Sequence, residues 1–293
     1  MAKEIGRLHM RKILICGYGD IGARVAQTWK DRHAQVCVLC RTDPVLKDSQ
    51  KTIKWLSWDL DKLSHEKTLS LADIVYYFAP PPATGDKDTR IGAFLSSLAP
   101  PKKFVLISTS AVYGDCGGAW VTEAAETQPI SARGKRRLDA EQISRDWCDR
   151  NGVEVVILRV PGIYGPGRLP IERIKKGLPV LQAAIAPYTN RIHCADLAQV
   201  CVEVALQDVA GIFNVCDGEP GNMSQYFFAV ADAYGLPRPA EVDMEQAKRQ
   251  LSAGMLSYLS ESRRMDNRKL LQQTGYQMLY PNLAAGLAAC LAE

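Results

Sequence analysis

The sequence predicts an α/β protein: a Rossmann-type, doubly wound parallel sheet with a smaller mixed C-terminal lobe. Three observations carry that expectation. Short apolar runs alternate with helical stretches up to about residue 160, the pattern of repeated βαβ units and so of a parallel sheet. A glycine turn, with Gly17, Gly19 and Gly22 in ILICGYGDIGARVAQ, separates the first apolar run (13–16) from a segment of helical character. Finally, a chain of 293 residues, 47% hydrophobic and 23% charged, is long enough for a large core and has an ordinary globular composition.

Taken in order, the run 13–16 is the first strand and the residues after the glycine turn the first helix. AQVCVLC (34–40) reads as a second strand and 52–58 as a third, more amphipathic one. ADIVYYFA (72–79) is a fourth, closed by Pro80, Pro81 and Pro82, since proline cannot donate to a ladder. A helix over 88–98 leads to a fifth strand, FVLIS (104–108). The helix predicted over 135–150 ends at Asn151-Gly152 before a strand over 153–160. Then come the loop PGIYGPGR (161–168), a helix over 195–207, a short strand over 211–216 and mostly helical sequence. The expected division is a loose tail over 1–10, a nucleotide-binding domain over 11–160 and a smaller lobe over 161–293, with 196–216 returning to the sheet.

A strand, glycine turn and helix in that order hold a dinucleotide pyrophosphate. The first glycine permits the tight turn, the second lets the backbone approach the phosphates, and the third lets helix pack on strand. The helix N-terminus then presents N–H groups to the anion. Gly17, Gly19 and Gly22, with Asp20 and Ile21 between them, are thus the first cofactor residues. The adenosine ribose meets the residue that ends the second strand, where an acid suits the 2′-hydroxyl of NAD and an arginine the 2′-phosphate of NADP. Arg41 stands there, followed by Thr42 as a further hydroxyl donor, so NADP is favoured and NAD stays open. Asp59, after the third strand, either accepts from the adenine amine or is a turn residue.

A net charge of +4 without a basic block gives little electrostatic reason to expect nucleic acid, and KRR at 135–137 reads as a solvated helix start. Several of the nine cysteines lie inside apolar runs, where free thiols behave as small hydrophobes, which points to a reducing, cytoplasmic setting. The four histidines lie far apart in sequence, so no metal site is expected. The first twelve residues are broken by charges and do not form a signal peptide, and no apolar run reaches membrane-spanning length.

LISTSAVYGD (106–115), LRVPGIYGPGR (158–168) and NRIHCADLA (190–198), in that order after the glycine turn, resemble the extended short-chain dehydrogenase/reductases, the NAD-dependent epimerase/dehydratase group. DNRKLLQQTGYQMLYPNLAAGL near the C-terminus is similar to that group's closing segment. The resemblance implies a cofactor across the strand ends, touching Ala79, Pro80 and Pro161, and a lobe closing on a nucleotide-sugar or related carbonyl substrate. It implies a homodimer through the helices at 88–98 and 135–150. Thr109 takes the place of the family's hydrogen-bond donor to the substrate oxygen.

The family's Tyr-x-x-x-Lys pair aligns with Arg133 and Arg137. Arginine stays protonated, so Arg133 cannot shuttle a proton, although it can bind an anion; Arg137 can still reach the nicotinamide ribose as a donor. No tyrosine lies between Tyr113 and Tyr164. The remaining candidates to move a proton are Lys135, Tyr113, Tyr164 and Glu123. On the substrate side the resemblance places Tyr113, Tyr164, Arg168 and Arg191, the two arginines as forks for a diphosphate or carboxylate. His193 is either a sensor of protonation or, as favoured, a structural histidine before a helix, and Asp196 reads as an acid at a helix N-terminus. The nearest likeness is to the atypical YeeZ-like branch, which leaves two readings: an enzyme with an unusual acid/base, or an NADP(H)-binding sensor without turnover.

Overall fold

The computed structural model describes residues 10–41, 53–62, 68–69 and 71–292; Thr42 and most of the 1–10 tail lie outside them. Seven strands form the central sheet: β1 (Lys12–Cys16), β2 (Gln35–Cys40), β3 (Ile53–Ser57), β4 (Ile74–Tyr77), β5 (Lys103–Thr109), β6 (Glu154–Val160) and β7 (Gly211–Asn214). Their order is β3-β2-β1-β4-β5-β6-β7, and every neighbouring pair is parallel. The winding reverses between β1 and β4, which opens a crevice at the C-terminal strand ends where ligands of such sheets bind. The doubly wound Rossmann sheet expected from the sequence is the fold.

Alternation along the strands explains the continuous apolar runs, because both faces are covered. Ile13 and Ile15 pack under helices α1 (Asp20–Asp31) and α4 (Cys194–Leu206). Leu14 and Cys16 pack on the other face, under α2 (Thr89–Ser96) and α3 (Ala132–Asn151). Tyr76 ties the first layer together: its hydroxyl accepts from Trp29 Nε1 at 3.0 Å and donates to the Cys201 carbonyl at 3.1 Å.

Helix α3 starts three residues before the expected 135, because Ser131 caps it, its Oγ accepting from Gly134 N at 3.3 Å. This corrects the reading of KRR as a solvated start. Only Lys135 is exposed, while Arg136 is buried with its guanidinium on the Gly85 carbonyl and Arg137 is half-buried. The C-terminal lobe centres on α5 (Met223–Ala233) and α6 (Ala253–Leu259), with small cores around Phe227 and Val242. Asp196 does more than favour a helix dipole. Fully buried, it accepts from Tyr276 Oη (2.7 Å), Leu279 N (2.7 Å) and Tyr280 N (3.0 Å), which fastens the C-terminal segment to α4.

Candidate functional site

The glycine turn joins β1 to α1 at the switch point. Gly17 has φ +104°, and a Cβ on it would lie 2.8 Å from Ala79 N, at the end of β4. A Cβ on Gly22 would lie 2.2 Å from the Gly17 carbonyl oxygen. Both positions are closed to any side chain by backbone. Gly19 differs: a Cβ there would meet none of the described residues within 4 Å. It is the N-cap of α1, whose first turn no side chain caps, so the turn leaves open space in front of helix amides that need an acceptor. These residues fit a dinucleotide, whose phosphates the free first-turn amides would hold.

Around this cradle, Arg41 is exposed at the end of β2, and its carbonyl accepts from Ser57 Oγ at 3.4 Å. Asp59 accepts from Asp61 N at 3.1 Å, so its carboxylate serves a turn. Arg90 pairs with Asp61 through Nε and Nη2, each at 2.7 Å, and donates to the Pro80 carbonyl at 3.1 Å. Arg137 Nη1 donates to the Ala79 carbonyl at 3.2 Å. Burial pulls the Arg137 guanidinium below its ordinary pKa, with Asp88 opposing.

Beyond the cradle a cavity of about 460 Å³ separates the sheet from the C-terminal lobe. Thr109, Arg133 and Pro161 stand on its sheet side; Tyr226 of α5 and Tyr258 of α6 stand opposite. Thr109 Oγ1 accepts from Ala111 N at 3.3 Å and caps the short turn over Ser110–Tyr113. The first turn of α3 is pressed onto that turn, since a Cβ on Gly134 would lie 2.7 Å from the Ala111 carbonyl oxygen. Arg133, next to Gly134, and Thr109, at the start of that turn, both line the cavity.

Not every candidate residue reaches this cavity. Residues four apart share a helix face and residues two apart do not, so Arg133 and Arg137 turn inward while Lys135 turns outward, to Asp86 at 3.5 Å. Tyr113 is buried, its hydroxyl donating to Asn214 Oδ1 at 2.7 Å. Glu123 accepts from Asn214 N at 2.8 Å. Tyr164 lines the cavity, yet its hydroxyl donates to the Asn282 carbonyl at 3.2 Å and burial raises its pKa. Arg168 also lines the cavity and spends its Nε on Asp20 at 2.6 Å, which links the loop after β6 to α1. Desolvation pushes the Asp20 carboxyl up, and the hydrogen bonds from Arg24 and Arg168 outweigh it and hold the group below its usual range. His193 is buried, with Nδ1 accepting from Ala195 N at 3.3 Å as the N-cap of α4.

Arg191 stands apart. It is 9% exposed, lines the cavity and lies flat on Tyr226, its Cζ 3.9 Å from the ring centroid. Among the described residues no carboxylate lies within 4 Å of it. Burial lowers its pKa, opposed by Tyr226, Asp217 and Tyr164. Asp217 is a weak counterion, because burial pushes its carboxyl up to about 7 against the pull of the Glu219 N–H and Arg191. An acid with a raised folded pKa binds more protons in the native state, so stability falls as pH rises from about 4 to about 7. Asp217→Asn should flatten that fall, as read by urea midpoints at pH 5 and pH 8. An unchanged difference between the two midpoints would refute this.

Sequence reasoning missed three groups: Asp217, Tyr258, and the buried pair of Glu261 with Arg263, which lines the cavity at 2.8 Å. A glutamate and an arginine two positions apart are too common to signal a site, and nothing local marks the other two.

The chain belongs to the NAD dependent epimerase/dehydratase family, whose model matches residues 13–216. It is similar to Protein YeeZ of Escherichia coli, 24% identical over 93% of this chain and 97% of that one. It is also similar to the uncharacterized protein y4nG of Sinorhizobium fredii, 30% identical over 57% of this chain; the match spans just under half, 46%, of that relative's length. Among solved structures, MoeE5 in complex with UDP-glucose and NAD superposes with a TM-score of 0.73 at 20% identity, over 96% of this chain and 97% of that one. That likeness is one of fold.

Proposed function

We propose that this chain is an NADP-binding epimerase, dehydratase or reductase acting on a nucleoside-diphosphate sugar. The observation that carries the substrate class is Arg191. A buried guanidinium without a carboxylate is costly unless an anion completes it, and a diphosphate offers the paired oxygens its planar fork fits. The bound UDP-glucose of the structurally similar MoeE5 supports the same class. Arg191 would take the diphosphate, Thr109 would donate to a sugar oxygen, and Arg137 would reach the ribose next to the nicotinamide. The nicotinamide, when bound, supplies hydride exchange.

Arg41 supports NADP over NAD, since a charge-assisted hydrogen bond to the 2′-phosphate is worth about 1.5–3 kcal/mol, or roughly one to two orders of magnitude in affinity. In fluorescence titrations NADPH should bind that much more tightly than NADH, and Arg41→Ala should remove the difference. Equal affinities in the unmodified protein would refute the preference. A panel of nucleotide sugars followed by cofactor absorbance then tests turnover. The sequence supports a second reading, a sensor of NADP(H), because Arg133 and Arg137 align with the family's Tyr-x-x-x-Lys pair. Tight NADPH binding without turnover on any sugar would select it.

A further inference from the structure

The cavity carries a second cation without a counter-charge. Four arginines line it: Arg133, Arg168, Arg191 and Arg263. Arg168 is held by Asp20 outside the cavity, and Arg263 by Glu261, the one carboxylate among the lining residues. Arg191 awaits the diphosphate. That leaves Arg133, half-buried in the first turn of α3, with its Cζ 3.7 Å over the ring of Tyr258. Among the described residues no carboxylate lies within 4 Å of it. The ring packs against the guanidinium, and Arg133 lines the cavity with its hydrogen-bond donors available for a planar anion.

Resting on the reading of the cavity as a nucleotide-sugar site, the geometry points to a substrate with two anionic groups: the diphosphate, taken by Arg191, and a carboxylate on the sugar, taken by Arg133. The substrate is thus a nucleoside-diphosphate sugar acid rather than a neutral hexose derivative. Arg133 lines the cavity together with Thr109, the residue assigned to a sugar oxygen, whereas Arg191 lies against Tyr226 of α5. A neutral sugar would leave a partly desolvated cation facing hydroxyls. A carboxylate pairs with it through two parallel hydrogen bonds, which also fixes the orientation of the sugar ring.

The test compares UDP, UDP-glucose and UDP-glucuronic acid by isothermal titration on the whole chain saturated with NADPH. The two sugars differ only in a hydroxymethyl against a carboxylate. The sugar acid should bind roughly ten- to a hundredfold more tightly than UDP-glucose. Arg133→Met keeps an aliphatic stem against Tyr258 and should abolish that preference. Arg133→Lys, which keeps the charge, should retain part of it. Equal affinity of the unmodified chain for the two sugars overturns the inference alone, as does a preference that survives Arg133→Met. In that case the stacking on Tyr258 is only a clasp between the lobes, visible as a lower melting temperature of Arg133→Met. No binding of any of the three ligands overturns the nucleotide-sugar reading and the inference with it.

Discussion

Gly19→Val is expected to abolish binding of the dinucleotide while leaving the melting temperature almost unchanged, whereas Gly22→Ala, a smaller substitution three residues away, is expected to damage the fold itself. The contrast follows from what each new side chain would meet. At Gly19 a Cβ would meet no atom of the described residues within 4 Å, and this is the space proposed for the pyrophosphate, so branched methyls there would displace the ligand. At Gly22 the added methyl would sit 2.2 Å from the Gly17 carbonyl oxygen, a backbone atom that cannot swing away. Relief requires α1 to lift from β1. Overpacking costs about 1–3 kcal/mol and more where backbone is the obstacle, a fall of roughly 2–12 °C for a domain of this size. Near-ultraviolet circular dichroism, thermal melts and NADPH fluorescence on both variants check the pair. Retained binding in Gly19→Val would place the phosphates elsewhere. An intact melting temperature in Gly22→Ala would mean that helix and strand are not packed as tightly as described.

The parts of this protein that were legible in the sequence are those whose partners are close in the chain or periodic. Strands β1, β4 and β6 announce themselves because both faces are buried, and the glycine turn because its spacing is dictated by one backbone conformation. The register of Arg133 and Arg137 followed from the helix behind them, even though the helix start was misplaced by three residues. The start was obscure because Ser131 is one hydroxyl among many, and its capping role depends on where the preceding loop delivers it. What stayed hidden depends on distant partners. Asp196 finds its donors 80 to 84 positions away, and only an acid inside the apolar run CADLAQV hinted that it was buried. Tyr258 packs on the Arg133 guanidinium from 125 positions further along the chain, which periodicity cannot reveal. The same limit explains Arg168, whose pairing with Asp20 joins residues 148 positions apart.

Glu141→Ala is expected to produce the largest loss of stability of any single side-chain removal beneath the site. Glu141 on α3 is fully buried and receives three donors: Ser108 Oγ from β5, and Arg159 Nε (3.2 Å) and Nη2 (2.8 Å) from β6. Arg159 is itself 2% exposed, with Cζ 4.7 Å from the Tyr113 ring centroid and Nη1 already without a hydrogen-bond partner. Removing the carboxylate strands a buried guanidinium, for which the usual cost is about 3–5 kcal/mol. The pair itself need not be a net source of stability, because desolvating two charges offsets most of their attraction. The double substitution Glu141→Met with Arg159→Met should therefore recover most of the loss, and a thermodynamic cycle from urea unfolding of the two single variants and the double variant reads the difference. The ion pair also has a positional consequence. It fixes how far α3 slides along β5 and β6, and so where Arg133 stands relative to Thr109. The double variant, though refolded, should bind UDP-glucuronic acid less tightly than the unmodified chain, because Arg133 rides on α3. A double variant as unstable as Glu141→Ala alone would mean that the charges, rather than the volume they fill, hold α3 in place.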